Sequence, residues 1–267
     1  MAVPLNKVVQ CIAFVNQKGG VGKTTTAVSL AAALAYDKKR VLVIDLDPQA
    51  NATSASGFID HSGPTIYESL SGEVELNSCI NEAEDGFYLI PSTPDLAGLE
   101  VELVNAVARE QRLKKIIEPL VSEYDWIFID CPPSLSLLTV NALTAAEGVI
   151  VPVQCEYLAL EGLSRLTETI ALIREHLNSK LEIIGVLLTM FDSRTRLAHQ
   201  VEKDVRDHFP QTFQTIIPRS IRLGEAPSHG RSILSYAPSS KAAIAYLNLA
   251  IELQARMEDP NEFGTTS

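Results

Sequence analysis

Short runs of apolar residues alternate with longer stretches of helical periodicity along most of the chain. Several runs are apolar at every position, for instance VLVI at 41–44 and IIGVLL at 183–188. Runs without polar alternation are typical of strands buried on both faces, as in the middle of a parallel sheet. The pattern predicts strands at Val8–Val15, Arg40–Leu46, Phe87–Ile90, Trp126–Asp130, Gly148–Val153, Ile183–Thr189 and Thr215–Ile217.

Helical patterns occupy the segments between these strands. Strands that alternate with helices of this length predict an α/β fold, a doubly wound and mostly parallel sheet with helices on both faces. No internal repeat or linker interrupts the pattern, so we expect a single domain at residues 1–257 and a short, acidic, flexible tail at 258–267. The predicted helices are Lys23–Tyr36, Leu99–Glu123, Ser134–Ala145, Leu160–Asn178, Thr195–Phe209 and Ser240–Met257.

Composition excludes several classes of protein. The 267 residues are 46% hydrophobic and 21% charged, which is ordinary for a globular chain and excludes a disordered or fibrous one. Four widely spaced cysteines without a CxxC pair suit small buried hydrophobic residues in a reducing cytosol. The N-terminus has no signal-peptide pattern, and no apolar run approaches the roughly 18–20 residues of a membrane span. We therefore expect a cytoplasmic protein.

The segment NQKGGVGKTTT, residues 16–26, follows a predicted strand and opens a predicted helix, which is the context of a phosphate-binding loop. Its glycines let successive backbone N–H groups point at phosphate oxygens, and the helix start adds the positive end of a dipole. Lys23 can reach the β- and γ-phosphates, and the Thr24 hydroxyl can bind Mg²⁺. A glycine-rich turn without a ligand is the weaker alternative. The predicted nucleotide-binding residues are Gly19, Gly20, Val21, Gly22, Lys23, Thr24 and Thr25.

Aspartates end two of the predicted strands. Asp45 and Asp47 follow VLVI, and Asp130 ends the run WIFID before two prolines. The carboxyl ends of parallel strands lie at one edge of the sheet, beside the predicted loop. An apolar strand that ends in aspartate is typical of a carboxylate that holds Mg²⁺ directly or through water, although aspartate before proline is also a common turn former. Together with the loop, the pattern favours Asp130 as a metal ligand.

The loop departs from the standard G-x4-G-K-[ST] pattern, because Gln17 holds the first glycine position and an additional lysine, Lys18, follows. It resembles the deviant Walker A family, KGGxGK[ST], which includes ParA-type partition ATPases, MinD, the nitrogenase iron protein and arsenite-pump ATPases. In that family the lysine that matches Lys18 crosses a dimer interface and touches the nucleotide of the partner subunit. The resemblance therefore implies a homodimer that encloses ATP.

The resemblance extends from Ile12 to about Leu249 and is greatest to the short chromosomal ParA proteins of the Soj type. Matching segments include VLVIDLDPQANAT, PSTPDLAG, TMFDSRT and IIPRSIRLGEAPSHG. The DLDPQ segment resembles a switch in which the second aspartate orients the attacking water, which implies that role for Asp47 and contact with a Mg²⁺-bound water for Asp45. The resemblance also implies an adenine pocket at Met190, Asp192 and Pro218.

The net charge of −11 argues against a nucleic-acid partner, but the charge is unevenly distributed. Residues 191–241 hold eight basic and five acidic side chains, a net charge of +3, so the other 216 residues carry −14. Charge alone favours an ordinary solvated surface. ParA relatives, however, bind DNA without sequence preference through this part of the chain, and the matching residues are Arg194, Arg222, Arg231 and Lys241.

The resemblance implies an ATP- and Mg²⁺-dependent ATPase that segregates chromosomes or plasmids. The ATP-bound dimer would bind DNA non-specifically in the nucleoid, and a ParB-like centromere-binding partner would stimulate hydrolysis and release. A switch of the same design that positions another cargo stays open. A MinD-like membrane ATPase needs a basic C-terminal amphipathic helix, whereas the residues after Ala242 contain one basic and four acidic side chains. A nitrogenase-like carrier needs a second cluster-binding cysteine in a glycine-rich setting, which the sequence lacks.

Overall fold

The computed structural model describes residues 10–157 and 159–258, and within them seven strands form one sheet. The strand order is β3-β4-β2-β5-β1-β6-β7, and every neighbouring pair is parallel except β3 and β4. The predicted α/β class with a mostly parallel sheet is therefore confirmed. The strands are β1 Gln10–Phe14, β2 Val41–Asp45, β3 Asn81–Glu82, β4 Tyr88–Ile90, β5 Trp126–Asp130, β6 Gly148–Gln154 and β7 Glu182–Thr189.

Helices cover both faces of this sheet, because successive strand residues point to opposite sides and both sides are apolar. Ile12 and Phe14 of β1 join one core cluster, whereas Cys11 and Ala13 join the other. The first face packs against α1 Lys23–Tyr36, α2 Asn51–Ala55, α9 Ile221–Glu225, α10 Ile233–Tyr236 and α11 Lys241–Glu258. The second packs against α3 Ile66–Ser71, α4 Leu96–Glu102, α5 Arg112–Ile117, α6 Leu137–Ala145, α7 Ala159–His176 and α8 Arg196–His208.

Strand register places the predicted site residues at one edge. Phe14 of β1 and Asp45 of β2 are both level with Asp130 of β5. In the strand order, β5 and β2 lie to one side of β1, and β6 and β7 lie to its other side. Loops that leave the carboxyl ends of β1, β2 and β5 therefore meet where the winding direction changes, the usual ligand position in such sheets.

The predicted helix Leu99–Glu123 is wrong. The chain instead forms α4, α5 and short 3₁₀ turns at 103–105, 109–111 and 118–120. Ala106 is extended, with φ −76° and ψ 136°, and Ala108 is left-handed, with φ 53°, so a continuous helix cannot pass through them. The apolar spacing in this segment reflects several short packed pieces.

The predicted strand Thr215–Ile217 is also wrong. The N–H groups of Gln214 and Thr215 donate to the Glu252 carboxylate of α11, at 2.7 and 2.9 Å, in place of a neighbouring strand. Ile217 alone of the three predicted residues donates to β7, at Leu188 O. A side chain distant in sequence has therefore replaced part of the ladder.

The remaining differences are at the ends of elements or concern short ones. The first two residues of the predicted strand Val8–Val15 lie outside the described residues, as does the predicted tail apart from Glu258, which ends α11. All four cysteines are free and buried, which confirms the prediction made for Cys11, Cys131 and Cys155. Among the helices of the described segments, none has the length and apolarity needed to cross a membrane. The short elements without a sequence prediction are α2, α3, α9, α10 and β3.

Candidate functional site

The loop between β1 and α1 has the backbone conformation that its glycines predict. Gly20 and Gly22 are left-handed, with φ 72° and 91°, and Gly22 caps α1. A Cβ added to Gly19 or Gly20 would meet no described atom within 4 Å, so the loop borders open space. The start of α1 and a curled backbone beside that space form a suitable site for phosphate oxygens.

Neighbouring strands hold the loop in this shape. Asn16 donates its side-chain N–H to Pro152 O of β6, at 2.7 Å, and accepts from the Lys18 N–H, at 2.9 Å. The Thr189 hydroxyl, at the end of β7, donates to Val21 O at 2.8 Å. Thr189 was not predicted, although a polar residue that ends an apolar strand at this edge is a usable signal. The loop is thus anchored to two neighbouring strands, β6 and β7.

Lys23 extends its amine back inside the loop, where Nζ donates to Lys18 O at 3.5 Å. The residue is 6% exposed. Burial lowers the pKa of Lys23, and the nearby carboxylates of Asp130 and Asp47 oppose that shift. The Lys23 amine therefore lies within the loop and in electrostatic reach of both carboxylates.

Asp130 is completely buried beside Lys23 and Thr24. Burial raises the pKa of Asp130 well above its ordinary value, and the Asp45 carboxylate adds to the shift. The Thr24 hydroxyl is close enough to lower that pKa, but neither carboxylate oxygen has a hydrogen-bond partner of normal geometry among the described residues. Burying an ionised carboxylate without hydrogen bonds costs free energy, and a bound cation that prefers oxygen ligands would offset that cost.

Asp45 is also fully buried but is surrounded by donors. Its carboxylate accepts from the Asp47 N–H at 3.1 Å, the Thr53 N–H at 2.8 Å and the Thr53 hydroxyl at 2.7 Å. Burial raises its pKa to about 6 against the effect of these hydrogen bonds. Asp45 therefore anchors the segment from Asp47 to α2. Asp47 is 6% exposed and accepts from the Gln49 N–H at 2.9 Å.

Lys18 is exposed and forms an ion pair with Glu156, which follows β6 in the same chain. The lysine side chain keeps about half of its accessible surface, 53%. Its ammonium group is therefore accessible from outside the protein at the same edge as the loop.

A cavity of about 230 Å³ adjoins the start of α1. Met190 and Pro218, both predicted for the adenine pocket, are part of its lining. Asp192 is not part of this lining, and its carboxylate accepts from the Arg194 guanidinium at 2.8 and 2.7 Å. The rest of the lining is Gly22, Thr25, Thr189, Ile217, Arg219, Ser220, Leu223, Gly224 and Tyr246.

The residues predicted to bind DNA lie in two places. Arg222 is on α9 and Arg231 follows the adjoining turn at 226–229, and both are exposed. Lys241 begins α11, which packs against α10. Arg194 is on the loop after β7, where its side chain is 85% exposed and paired with Asp192. Arg231 is also 3.7 Å from Glu84, so acidic neighbours moderate the positive charge.

The fold and the loop define a P-loop protein that binds a nucleoside phosphate. Residues 9–183 match the AAA domain family. The chain is 52% identical to the chromosome partitioning protein ParA of Myxococcus xanthus, over 90% of this chain and 86% of that protein. It is also 52% identical to the sporulation initiation inhibitor protein Soj of Bacillus subtilis, over 91% and 98%.

Among solved structures, cobyrinic acid a,c-diamide synthase from Mycobacterium smegmatis, with a bound ATP analogue and magnesium, has a similar fold. The TM-score is 0.85 with 38% identity over 97% of this chain and 100% of that one. From these similarities and the site geometry, the chain belongs to the ParA/Soj family of chromosome-partitioning ATPases.

Proposed function

We propose that this protein hydrolyses ATP to ADP and phosphate with Mg²⁺, and that its ATP-bound homodimer binds DNA without sequence preference to segregate a chromosome or plasmid. The observation that carries the proposal is the fully buried carboxylate of Asp130, which has no hydrogen bond of normal geometry to a described residue and lies beside Thr24, Lys23 and the open phosphate loop. These groups form a complete set for a metal-bound nucleoside triphosphate.

The residues present fit both ATP and Mg²⁺. The loop N–H groups from Gly19 to Thr25 and the Lys23 ammonium would bind the phosphates, and the cavity beside Met190 and Pro218 would hold the base. Thr24 and Asp130 would hold Mg²⁺, with Asp45 contributing through water. Bound Mg²⁺ would neutralise charge on the phosphate oxygens. The similar M. smegmatis structure, solved with an ATP analogue and magnesium, supports the assignment.

Asp47 is the residue that we assign to the attacking water. It follows β2 at the same edge as the loop, and the Asp45 carboxylate fixes its backbone. A carboxylate held in this way can orient a water and accept its proton, while Lys23 stabilises charge on the phosphate. Hydrolysis by such a site depends mainly on positioning and electrostatics.

Lys18 supports a dimeric active form. Its ammonium group is exposed at the edge that holds the loop, so in a face-to-face dimer it would reach the nucleotide of the partner subunit after leaving Glu156. Dimerisation would also double a basic surface too weak to hold DNA alone, formed by Arg194, Arg222, Arg231 and Lys241. DNA binding would then require ATP, and the protein would associate with the nucleoid in the cytoplasm. A ParB-like partner would stimulate hydrolysis.

The membrane alternative is disfavoured by the position of Arg256. It is the single basic residue after Ala242 in sequence, and it is 6% exposed, buried against the core. It therefore cannot contact lipid headgroups. We further propose that residues 1–257 act as one ATPase domain, with 258–267 as a short tail.

The proposed function is tested by measuring DNA retention with ATP, with ADP and without nucleotide, alongside size-exclusion chromatography. We expect a dimer and retained DNA with ATP alone. Equal retention in all three conditions, or a monomer with ATP, would contradict the proposal. Identification of the bound partner then separates chromosome or plasmid segregation from positioning of another cargo.

A further inference from the structure

Gly57 and Gly230 are in direct backbone contact across the molecule. Gly57 follows α2 and Gly230 ends the 226–229 turn, and both are left-handed, with φ 93° and 62°. A Cβ on Gly230 would lie 2.7 Å from the Gly57 Cα, and a Cβ on Gly57 would lie 3.3 Å from the Gly230 carbonyl oxygen. A side chain at Gly230 would therefore force the two segments apart.

The Gly57 side of this contact is connected to the catalytic carboxylates. Asp45 holds the backbone and hydroxyl of Thr53, inside the five-residue helix α2. The N–H groups of Gly57 and Phe58 donate to Ser54 O and Thr53 O, each at 3.1 Å. One short, hydrogen-bonded helix thus separates Gly57 from Asp45, so a shift of the segment after β2 must move Gly57.

The Gly230 side is connected to the exposed arginines. Gly230 directly precedes Arg231. The N–H of the following residue, Ser232, donates to the Asp85 carboxylate at 2.7 Å. The same turn packs against α9, where Leu223 lines the nucleotide cavity and its neighbour Arg222 is exposed. The turn therefore lies between the nucleotide cavity and the surface that we assign to DNA.

We propose that the Gly57–Gly230 contact transmits the position of the segment 45–56 to Arg222 and Arg231, so that both glycines are positioning residues for nucleotide-dependent DNA binding. This inference rests on the proposed function. Close backbone contact suits the role because a displacement of α2 passes to the turn without being absorbed by a flexible side chain.

The test compares Gly230→Ala with the control Gly72→Ala. Gly72 also ends a short helix and has φ 93°, but an added Cβ there meets nothing in the described structure within 4 Å. Both changes therefore introduce backbone strain, but only Gly230→Ala also separates the turn at 226–230 from Gly57. We expect Gly230→Ala to bind a non-hydrolysable ATP analogue normally, but its DNA retention in the presence of the analogue should fall about tenfold. DNA retention by Gly72→Ala should equal that of the wild type.

Hydrogen exchange at residues 230–232 provides a readout without DNA. In the wild type, the ATP analogue should change exchange there, and Gly230→Ala should abolish that change. Wild-type protein that never retains DNA contradicts the proposed function, while the exchange result still tests the contact. Gly230→Ala with wild-type exchange and retention overturns the inference. If Gly230→Ala does not fold, Gly57→Ala, with its longer 3.3 Å approach, is measured in its place with the same two outcomes.

Discussion

At the scale of single residues, the site contains buried carboxyl groups whose ionisation opposes folding and whose charge a bound cation would compensate. Asp130 and Asp45 are both 0% exposed, and burial raises the pKa of each. Asp45 accepts hydrogen bonds from three donors, whereas the Asp130 carboxylate, although close to the Thr24 hydroxyl, has no hydrogen bond of normal geometry within the described segments. We infer that Asp130 is held for binding at some loss of stability.

Stability without nucleotide should therefore fall as pH rises. A carboxyl group with a raised pKa keeps its proton in the folded protein at a pH where the unfolded chain has lost it. The free energy of unfolding then falls by up to about 1.4 kcal/mol per pH unit and group, from about pH 4 to the folded pKa. For Asp45 that window ends at about pH 6, and the raised pKa of Asp130 adds to the same decline.

Asp130→Asn should remove the contribution of Asp130 to this decline. We expect a melting temperature several degrees higher than wild type at pH 8 without Mg²⁺, because about 1–2 kcal/mol corresponds to roughly 2–8 °C in a protein of this size. Stabilisation by Mg-ATP should disappear in the same variant. Thermal unfolding from pH 5 to 8 in EDTA measures the effect, with the exposed Asp60→Asn as control. A variant that melts below wild type at pH 8 would contradict the assignment.

Asp47→Ala should bind ATP and dimerise but hydrolyse it roughly 10²–10⁴-fold more slowly, because it removes the group that orients water. Phosphate release measures turnover, and equilibrium dialysis measures binding. Lys23→Ala should instead lose nucleotide binding, since its amine lies within the loop. Asp60→Ala serves as a surface control, and unchanged turnover in Asp47→Ala would remove its proposed role.

At the scale of elements, α11 shows how one helix determines the conformation of a distant segment. Glu252 accepts the N–H groups of Gln214 and Thr215, and Arg256 donates to Ile184 O, Gln211 O and Thr212 O. These bonds explain why the apolar run at 215–217 is not a strand. They also connect α11 to the segment that leads to Pro218 in the nucleotide cavity.

Arg256→Met should destabilise the protein by roughly 3–5 kcal/mol, because it leaves three carbonyls without their guanidinium donor and the Glu252 carboxylate without its cationic partner. The guanidinium also lies 4.1 Å from the centre of the Phe213 ring, a contact that methionine lacks. The matched control is Arg165→Met, whose i, i+4 pair with Glu161 is 68% and 58% exposed and is expected to contribute under about 0.5 kcal/mol. Urea unfolding of both variants tests the difference, and equal losses would refute it.

Sequence patterns predicted the long elements well and the short ones poorly. Helix Lys23–Tyr36 and strand Trp126–Asp130 have the predicted ends. Their apolar pattern and the residues that flank them are visible in the local sequence, so no distant contact was needed to predict them. Elements of five residues, such as α2 and α9, have too little periodicity to detect. The broken segment 99–123 was mistaken for one helix, since nothing local marks the left-handed Ala108.

At the scale of the whole molecule, the net charge of −11 conceals an asymmetric distribution. The segment 191–241 carries +3, but not all of its basic residues face solvent freely. Arg206 is partly buried, bonded to Phe213 O and Gln214 O, and Arg194 is paired with Asp192. The remaining positive surface is small, which suits DNA binding that requires a dimer.

Arg222→Glu should abolish ATP-dependent DNA retention while leaving ATP binding unchanged. Reversing one charge on each subunit opposes phosphate binding twice per dimer. Arg174→Glu, an equal charge change on the exposed side of α7, is the control and should retain DNA. DNA retention at low salt measures both variants, and a retained complex for Arg222→Glu would exclude this site.

Sequence patterns were sufficient to predict the fold class, the phosphate loop, the aspartates at strand ends and the family, because these depend on local patterns and ordered motifs. The packing of the folded chain brings further side chains to the site: Thr189 to a loop carbonyl, and Arg219, Leu223 and Tyr246 to the cavity. It also decided that Gly57 meets Gly230, 173 residues further along the chain. Such contacts depend on how helices pack on the sheet, and no local pattern encodes that packing.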